Sequence, residues 1–201
     1  KRDEAISFMQ RSQYDLAIPA FLELAKSDPD DYSIHYMLGQ CYKFNGQLSE
    51  SLESLTKSEQ LIKDSTPDDM QGSIYLALGI VYQNMKEFDK AIAVFQKGIE
   101  KNTRNWNLHN SLGLTYKFIN NLRESLSSYC NAQEIIVSNA SHSEIRKLED
   151  GTEALHTDPH QTYINLKSSP EYCTVLNNIG GVYLRAGDLE SAEKAFKESI
   201  E

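Results

Sequence analysis

Apolar and small side chains recur along the chain with the spacing of one face of an α-helix, and the same arrangement returns several times. Its centre is Leu-Gly-x-x-Tyr, whose Leu and Tyr fall on one helical face. Four copies occur, with Ile replacing Leu in the last, and their glycines are Gly39, Gly79, Gly113 and Gly180. Twelve residues after each glycine comes a small residue, and four residues later a large apolar one. Each copy therefore predicts two helices that pack against each other.

The glycine explains why the two helices must approach closely. A glycine inside a helix costs about 1 kcal/mol relative to alanine, so its return at one position needs a compensating contact. The second helix supplies that contact through its small and large residues, which are Ser51, Ala91, Ser125 and Ala192, then Leu55, Phe95, Tyr129 and Phe196.

The period of the pattern predicts a repeat protein. A fifth copy, without the glycine, opens the chain with Ala5, Phe8, Ala17 and Phe21. Ala5 and Gly39 are 34 residues apart, as are Gly79 and Gly113, and such a period is typical of stacked helix–turn–helix repeats. We expect one all-α domain over 1–201 with helix pairs at about 1–30, 31–64, 68–104, 105–138 and 171–201.

Two inserts interrupt the predicted array. The first, at 63–71, is rich in Pro, Ser and Asp and reads as a longer loop that also lengthens its flanking helices. The second, at about 138–172, lacks Leu-Gly-x-x-Tyr, and its apolar positions Ile145, Leu148 and Leu155 form only a weak helical stripe. There we expect a long excursion with one or two short helices.

These residues make the chain similar to the tetratricopeptide repeat (TPR) family. The tryptophan that is frequent in the family's first helix is replaced here by His35, Tyr75, His109 and Leu176. The resemblance implies a right-handed superhelical array of antiparallel helix pairs, a TPR-like α-solenoid. It also implies that the first helices line a concave groove, which binds an extended peptide or protein segment.

By the same resemblance, side chains on the first helices that lie off the Leu-Gly-Tyr face are the candidate peptide-binding residues. They are Tyr36, Gln40, Lys43, Asn84, Asn107, Asn110, Lys117, Asn177, Asn178 and Arg185. The asparagines predict a ladder of amides able to donate to and accept from a peptide backbone. The three cations favour an acidic ligand. The alternative is that the aromatic residues pack between repeats and that the lysines only complement helix dipoles.

Composition limits the kinds of partner. The net charge of −9 and the pI of about 5.1 argue against nucleic acid or an anionic membrane surface. The longest apolar run, at 74–82, is too short for direct membrane insertion. The three cysteines, Cys41, Cys130 and Cys173, have no metal-binding spacing and favour a reducing, cytoplasmic location.

No catalytic motif is present, so we expect neither an enzyme nor a cofactor. The chain contains no phosphate-binding glycine loop, HExxH, CxxC or nucleophile elbow. The best candidate metal ligands are His156 and His160 with Asp158 and the upstream His142, although Pro159 disfavours a helix through the pair.

The sequence therefore predicts a protein–protein interaction module that acts as an adaptor or scaffold. Two alternatives stay open: a sensor domain that binds a small signalling peptide or ligand for an attached effector, and a metal site in the 138–172 insert. Repeat arrays need polar terminal caps, yet Ala192, Phe196 and Ile200 have no following helix. We therefore expect further chain beyond Glu201 or an end-to-end contact.

Overall fold

The computed structural model describes residues 1–140, 143–147, 153–157, 166 and 168–200. The chain divides into two compact units, Lys1–Thr103 and Arg104–Glu201. Helices dominate both units, and each is built from antiparallel helix pairs joined by short turns. The predicted all-α solenoid class is confirmed.

The first unit contains three helix pairs. They are α1 (Arg2–Gln10) with α2 (Tyr14–Ser27), α3 (Tyr32–Phe44) with α4 (Leu48–Gln60), and α5 (Asp68–Asn84) with α6 (Phe88–Lys101). The described part of the second unit contains two pairs and two strands between them. These are α7 (Trp106–Phe118) with α8 (Leu122–Ala140), β1 (Ser143–Lys147), β2 (Glu153–Thr157), and α9 (Pro170–Ala186) with α10 (Leu189–Ile200).

Short polar side chains fix the starts of three first helices. Asp, Asn and Ser favour this position because their side-chain oxygens accept backbone N–H groups that have no helical partner. The caps are Asp31, Asn105 and Ser169, which accept from the N–H of Ser33, Asn107 and Tyr172 at 2.8, 3.1 and 3.2 Å.

The five turns within the pairs share one backbone geometry. Each has a residue with positive φ, and these residues are Ser12, Gly46, Lys86, Asn120 and Gly187 at 58, 80, 62, 62 and 84°. The next residue donates its N–H to a carbonyl five positions back, as Gln47 does to Tyr42 at 2.9 Å. This bond pattern closes the end of the first helix and directs the chain into the second.

The motif glycines sit where the paired helices approach most closely. An added Cβ at Gly39, Gly79, Gly113 or Gly180 would lie 2.6, 2.2, 2.9 or 2.7 Å from the side chain of Leu55, Phe95, Tyr129 or Phe196, respectively. The close approach predicted from the motif is thus confirmed. Where the small residue is serine, its hydroxyl donates to the carbonyl of the same glycine, at 2.7 Å in Ser51–Gly39 and 2.8 Å in Ser125–Gly113.

Buried clusters follow the helix pairs. In the first unit one cluster joins α1, α2 and α3 around Phe21 and Leu38, and another joins α4 and α5 around Leu55 and Leu78. In the second unit a cluster around Tyr129 joins α8, α9 and α10. Each pair therefore contributes one face to a core that continues into the next pair of its unit.

The short insert mostly extends a helix. Helix α5 has 17 residues whereas α3 has 13, so the extra residues add a turn at its start, as the sequence analysis allowed. The preceding loop is held by the side chain of Gln71, whose Nε2 donates to the carbonyl of Thr66 at 2.8 Å.

The described part of the long insert contains two short strands, which the sequence analysis did not predict, and Leu166 beyond them is helical. The backbones of β1 and β2 form an antiparallel ladder in which Ser143 lies opposite Thr157.

Two adjacent glycines of α9 test the packing role of the motif position. An added Cβ at Gly180 meets the ring of Phe196 at 2.7 Å, whereas at Gly181 the nearest atom is Lys117 Nζ at 3.7 Å. We expect Gly180→Ala to lower the free energy of unfolding by about 1–3 kcal/mol and Gly181→Ala to raise it by up to about 1 kcal/mol. Urea denaturation of both variants measures this, and equal effects would contradict the packing role.

The left-handed turn residue Lys86 gives a second stability prediction. A side chain in this conformation costs about 1–2 kcal/mol, which glycine avoids, and Lys86 is exposed with φ 62°. We expect Lys86→Gly to raise the unfolding free energy by about 1 kcal/mol, whereas Lys90→Gly, in the helix that follows, should lower it. Melting curves that rank these variants in the opposite order would refute the assigned turn.

Candidate functional site

The first helices of the second unit, α7 and α9, lie side by side. Two hydrogen bonds join them: Asn178 Nδ2 donates to Asn110 Oδ1 at 2.9 Å, and the Arg185 guanidinium donates to the carbonyl of Lys117 at 2.7 Å. Four of the ten sequence-predicted site residues are thus brought together. We call the surface formed by Asn110, Lys117, Asn178 and Arg185 the α7–α9 face.

The two asparagines of this face form a half-buried amide pair. Their mutual bond uses one oxygen of Asn110 and one N–H of Asn178. The structure describes no further bond for the Nδ2 of Asn110 or the Oδ1 of Asn178, which leaves the pair one donor group and one acceptor group. Each residue of an extended segment presents its N–H and its C=O on the same edge, so the pair has the complement of one residue's backbone groups.

The other two asparagines of the predicted ladder lie elsewhere. The Oδ1 of Asn177 accepts from the hydroxyl of Ser199 on α10 at 2.9 Å, which places its side chain on the flank of α9 that faces α10. Asn107 lies at the first turn of α7, where its own N–H is held by the Asn105 cap. The geometry of the second unit therefore supports two amides acting together rather than four.

Lys117 is a half-buried cation without a carboxylate partner among the described residues. Its ammonium lies 5.8 Å from the centre of the Tyr129 ring, and burial lowers its pKa, with a further contribution from the charge of Arg185. Burial disfavours the charged form of an amine, and a second cation does the same. An anion bound beside Lys117 would stabilise its charged form and so offset both effects on the pKa.

Arg185 is exposed and has a structural role as well. Its guanidinium donates to a carbonyl in the last turn of α7, where backbone acceptors lack partners within the helix and the helix dipole favours cations. Arg185 therefore complements the end of a helix, which is the role that the sequence analysis offered as an alternative for the lysines. Because Arg185 is engaged in this way, the Lys117 ammonium is the cation of the α7–α9 face that can pair with a ligand.

Charge is segregated between the helices of the second unit. Helix α7 contains no Asp or Glu, and α9 contains one, Glu171, in its first turn. That residue is 14 positions from Arg185, or about 21 Å along the helix. Helices α8 and α10 carry the acidic side chains Glu124, Glu134, Glu190, Glu193 and Glu198. The α7–α9 face is thus positively charged within an acidic protein.

The remaining predicted residues lie in the first unit. On α3, Gln40 Nε2 donates to the hydroxyl of Tyr36 at 2.8 Å, and the buried Gln40 Oε1 has no hydrogen-bond partner among the described residues. The Lys43 ammonium lies 4.4 Å from the centre of the Phe44 ring, and burial lowers its pKa. Asn84 is exposed at the end of α5.

Two further features of this unit, Gly181 and the hydroxyl of Tyr129, are not among the ten candidate residues. Gly181 is the second of two consecutive glycines, and only the first has a packing partner. Tyr129 is fully buried and its hydroxyl has no hydrogen-bond partner among the described residues. The other pairs place Phe or Leu at this position, so the hydroxyl is not required for packing.

The candidate metal ligands fall mostly outside the described residues. Asp158, His160 and His142 lie there, and of His156 only the backbone position in β2 is described. Across the part of the chain that the structure describes, no three His, Cys, Asp or Glu residues come together as a metal site would require. The metal site stays a prediction.

The sequence analysis also made predictions about the cysteines and about membrane insertion. None of the three cysteines forms a disulfide, and burial raises the pKa of Cys41 to about 11, which makes it a poor nucleophile. None of the described helices has both the length and the apolar character that a membrane crossing requires.

The fold defines a class, the helical-repeat proteins, and sequence comparison identifies the family. Sequence models described as tetratricopeptide repeat match residues 2–68, 72–102 and 173–201. The chain belongs to the tetratricopeptide repeat family.

Curated relatives match parts of the chain. BBSome complex member BBS4 of Mus musculus is 30% identical over 112 residues, which is 56% of this chain and 20% of that protein. Anaphase-promoting complex subunit CDC16 of Saccharomyces cerevisiae is 30% identical over 129 residues, 60% of this chain and 15% of that protein. Hsp70-Hsp90 organizing protein 3 of Arabidopsis thaliana is 28% identical over 105 residues, 52% and 18% of the two chains. The chain thus spans a fifth or less of these relatives.

Solved structures share the fold over nearly the whole chain. A crystal structure of MamA superposes with a TM-score of 0.69 at 22% identity, covering 98% of this chain and 92% of that one. MamA residues 41 to the end from Desulfovibrio magneticus RS-1 gives a TM-score of 0.72 at 14% identity, covering 99% and 90%. At these identities the likeness concerns the fold.

The environment of Lys117 predicts a measurable titration. We expect its pKa to lie below that of an ordinary lysine, and Arg185→Gln to raise it without restoring the ordinary value, because burial is the larger cause and remains. Side-chain NMR of lysine against pH measures this. Arg123→Gln removes the same charge from α8 and serves as the control, and a fall in the Lys117 pKa on Arg185→Gln would contradict the assignment.

Proposed function

We propose that the chain is a protein-interaction module that binds an extended protein segment on the α7–α9 face and performs no chemistry of its own. It would act as an adaptor or scaffold. The observation that carries the proposal is the Asn110–Asn178 amide pair, joined at 2.9 Å, which presents a donor and an acceptor to the N–H and C=O of one residue in an extended segment.

The amide pair suits a segment of varied sequence. Both side chains are half-buried and already oriented by their mutual bond, so little rotamer freedom remains to be lost when a ligand binds. Bonds to the backbone are indifferent to the ligand's side chains. Selectivity would therefore come from the neighbouring positive charge of Lys117 and Arg185 and from the exposed apolar side chain of Leu184.

The comparisons support a role in assemblies without naming a partner for this chain. By their names, two relatives belong to the BBSome and to the anaphase-promoting complex, and a third is an Hsp70-Hsp90 organizing protein. Each contains a stretch similar to this chain. We extend from them only the general role of repeats in holding proteins together.

Peptide selection followed by calorimetry tests the proposal. Peptides would be selected from a random display library on the whole chain, and their affinity measured by isothermal titration for the natural protein and for Asn110→Ala/Asn178→Ala. We expect the double variant to lose roughly 0.5–1.5 kcal/mol for each hydrogen bond removed. Asn131→Ala, on the exposed side of α8, should leave the affinity unchanged.

Asn177→Ala distinguishes the amide pair from the four-residue ladder. Because Asn177 bonds to Ser199 on the other flank of α9, its loss should not weaken binding. Equal losses for Asn177→Ala and Asn178→Ala would favour the ladder. If no peptide is selected, or if the double variant binds as well as the natural protein, the α7–α9 face is not the binding surface.

A further inference from the structure

Gly181 has no packing explanation. Glycine in a helix interior is less stable than alanine, and the four motif glycines compensate through the side chains they admit. At Gly181 the only atom of the described residues within 4 Å of an added Cβ, outside its own helix, is the Lys117 ammonium, 3.7 Å away. The corresponding positions of the other pairs hold side chains, namely Gln40, Ile80 and Leu114. The fifth pair thus leaves open the space that those side chains would fill.

The group beside this space is a cation, the Lys117 ammonium. Lys117 is half-buried and has no carboxylate within ion-pair distance among the described residues, and the Arg185 guanidinium is bound to its own carbonyl. On its other side lies the fully buried ring of Tyr129, whose centre is 5.8 Å from the ammonium. The gap over Gly181 therefore gives a ligand access to a cation whose surroundings on α7 contain no acidic residue.

We propose that this gap is a subsite for the side-chain carboxylate of an Asp or Glu in the bound segment, which pairs with the Lys117 ammonium above Gly181. The inference rests on the proposed function and specifies its selectivity. Charge complementarity decides the occupant, because the face is positive and a carboxylate supplies the partner that Lys117 lacks. Glycine is required since any side chain at 181 would occupy the space through which the carboxylate reaches Nζ.

One short segment can reach both the amide pair and this subsite. Asn110 and Lys117 are seven residues apart on α7, as are Asn178 and Arg185 on α9, which is about 10 Å along a helix. An extended chain covers that distance in about three residues. A segment held by its backbone at the asparagines can therefore place a nearby acidic side chain at Lys117.

Substitution of the acidic residues in the selected peptides tests the subsite. Each Asp or Glu of a peptide selected on the whole chain would be replaced by Asn or Gln, with both peptide ends blocked, and affinities measured at low salt. We expect one such change to weaken binding to the natural protein about three- to tenfold, the range of a charge-assisted contact. The same change should have no effect on binding to Lys117→Gln, which still binds the amide form of the peptide.

Gly181→Leu gives the sharper variant. Leucine stands at the matching position of α7, so the variant should fold with an unchanged or higher melting temperature, yet it should lose the preference for the acidic peptide. Lys194→Gln, which removes an exposed charge from α10, is the matched control and should keep the preference. If the role of Gly181 is purely structural, Gly181→Leu should change the melting temperature and leave the preference for the acidic peptide intact.

The outcomes separate the subsite from the proposed function. Peptides that bind through the amide pair but tolerate every acid-to-amide change, or that contain no acidic residue, overturn the subsite alone. A preference that requires a free peptide carboxyl terminus, and disappears when that end is blocked, overturns the assignment to a side chain. Failure to select any peptide overturns the subsite together with the proposed function.

Discussion

The contact between a motif glycine and the large side chain of the following helix is the constraint on which the rest of the structure depends. At Gly79 the ring of Phe95 lies where a Cβ would be, 2.2 Å from its ideal position. No other residue permits that approach, so the glycine fixes the distance between the paired helices. The left-handed turn residues then fix the direction of the second helix. Together they fix the geometry of the four pairs that contain the glycine.

This constraint explains what the sequence could predict. The Leu-Gly-x-x-Tyr spacing reports contacts within a pair, and the predicted pairs, their turns and their buried residues such as Phe21 and Tyr129 follow from it. The two strands of the insert did not follow, because β1 and β2 stabilise each other through a backbone ladder that leaves little trace in apolar periodicity. The added turn of α5 was visible only as six residues beyond the period between Gly39 and Gly79.

The candidate site was only partly predictable, since it depends on contacts between pairs. Asn177 and Asn178 are adjacent in sequence, but successive helical residues point about 100° apart. One therefore reaches Ser199 on α10 and the other Asn110 on α7. The motif does not encode how far α9 is rotated against α7, and a single position decides which amide faces the neighbouring first helix. The groove residues were assigned by resemblance to the family. Which of them form the amide pair could be seen only in the structure.

The residues that hold a helix pair together and the residues that could contact a ligand are different ones, and this shows where selectivity can arise in such a chain. Residues on the glycine face are held by packing, and a change there destabilises the pair. The residue that follows the glycine lies about 100° away from that face, and Gln40, Ile80, Leu114 and Gly181 differ at this repeat position. Acidic side chains are kept off α7 while they are frequent on α8 and α10. In a protein of net charge −9, that distribution leaves the α7–α9 face with two cations, Lys117 and Arg185, and the proposed ligand would be selected by that difference.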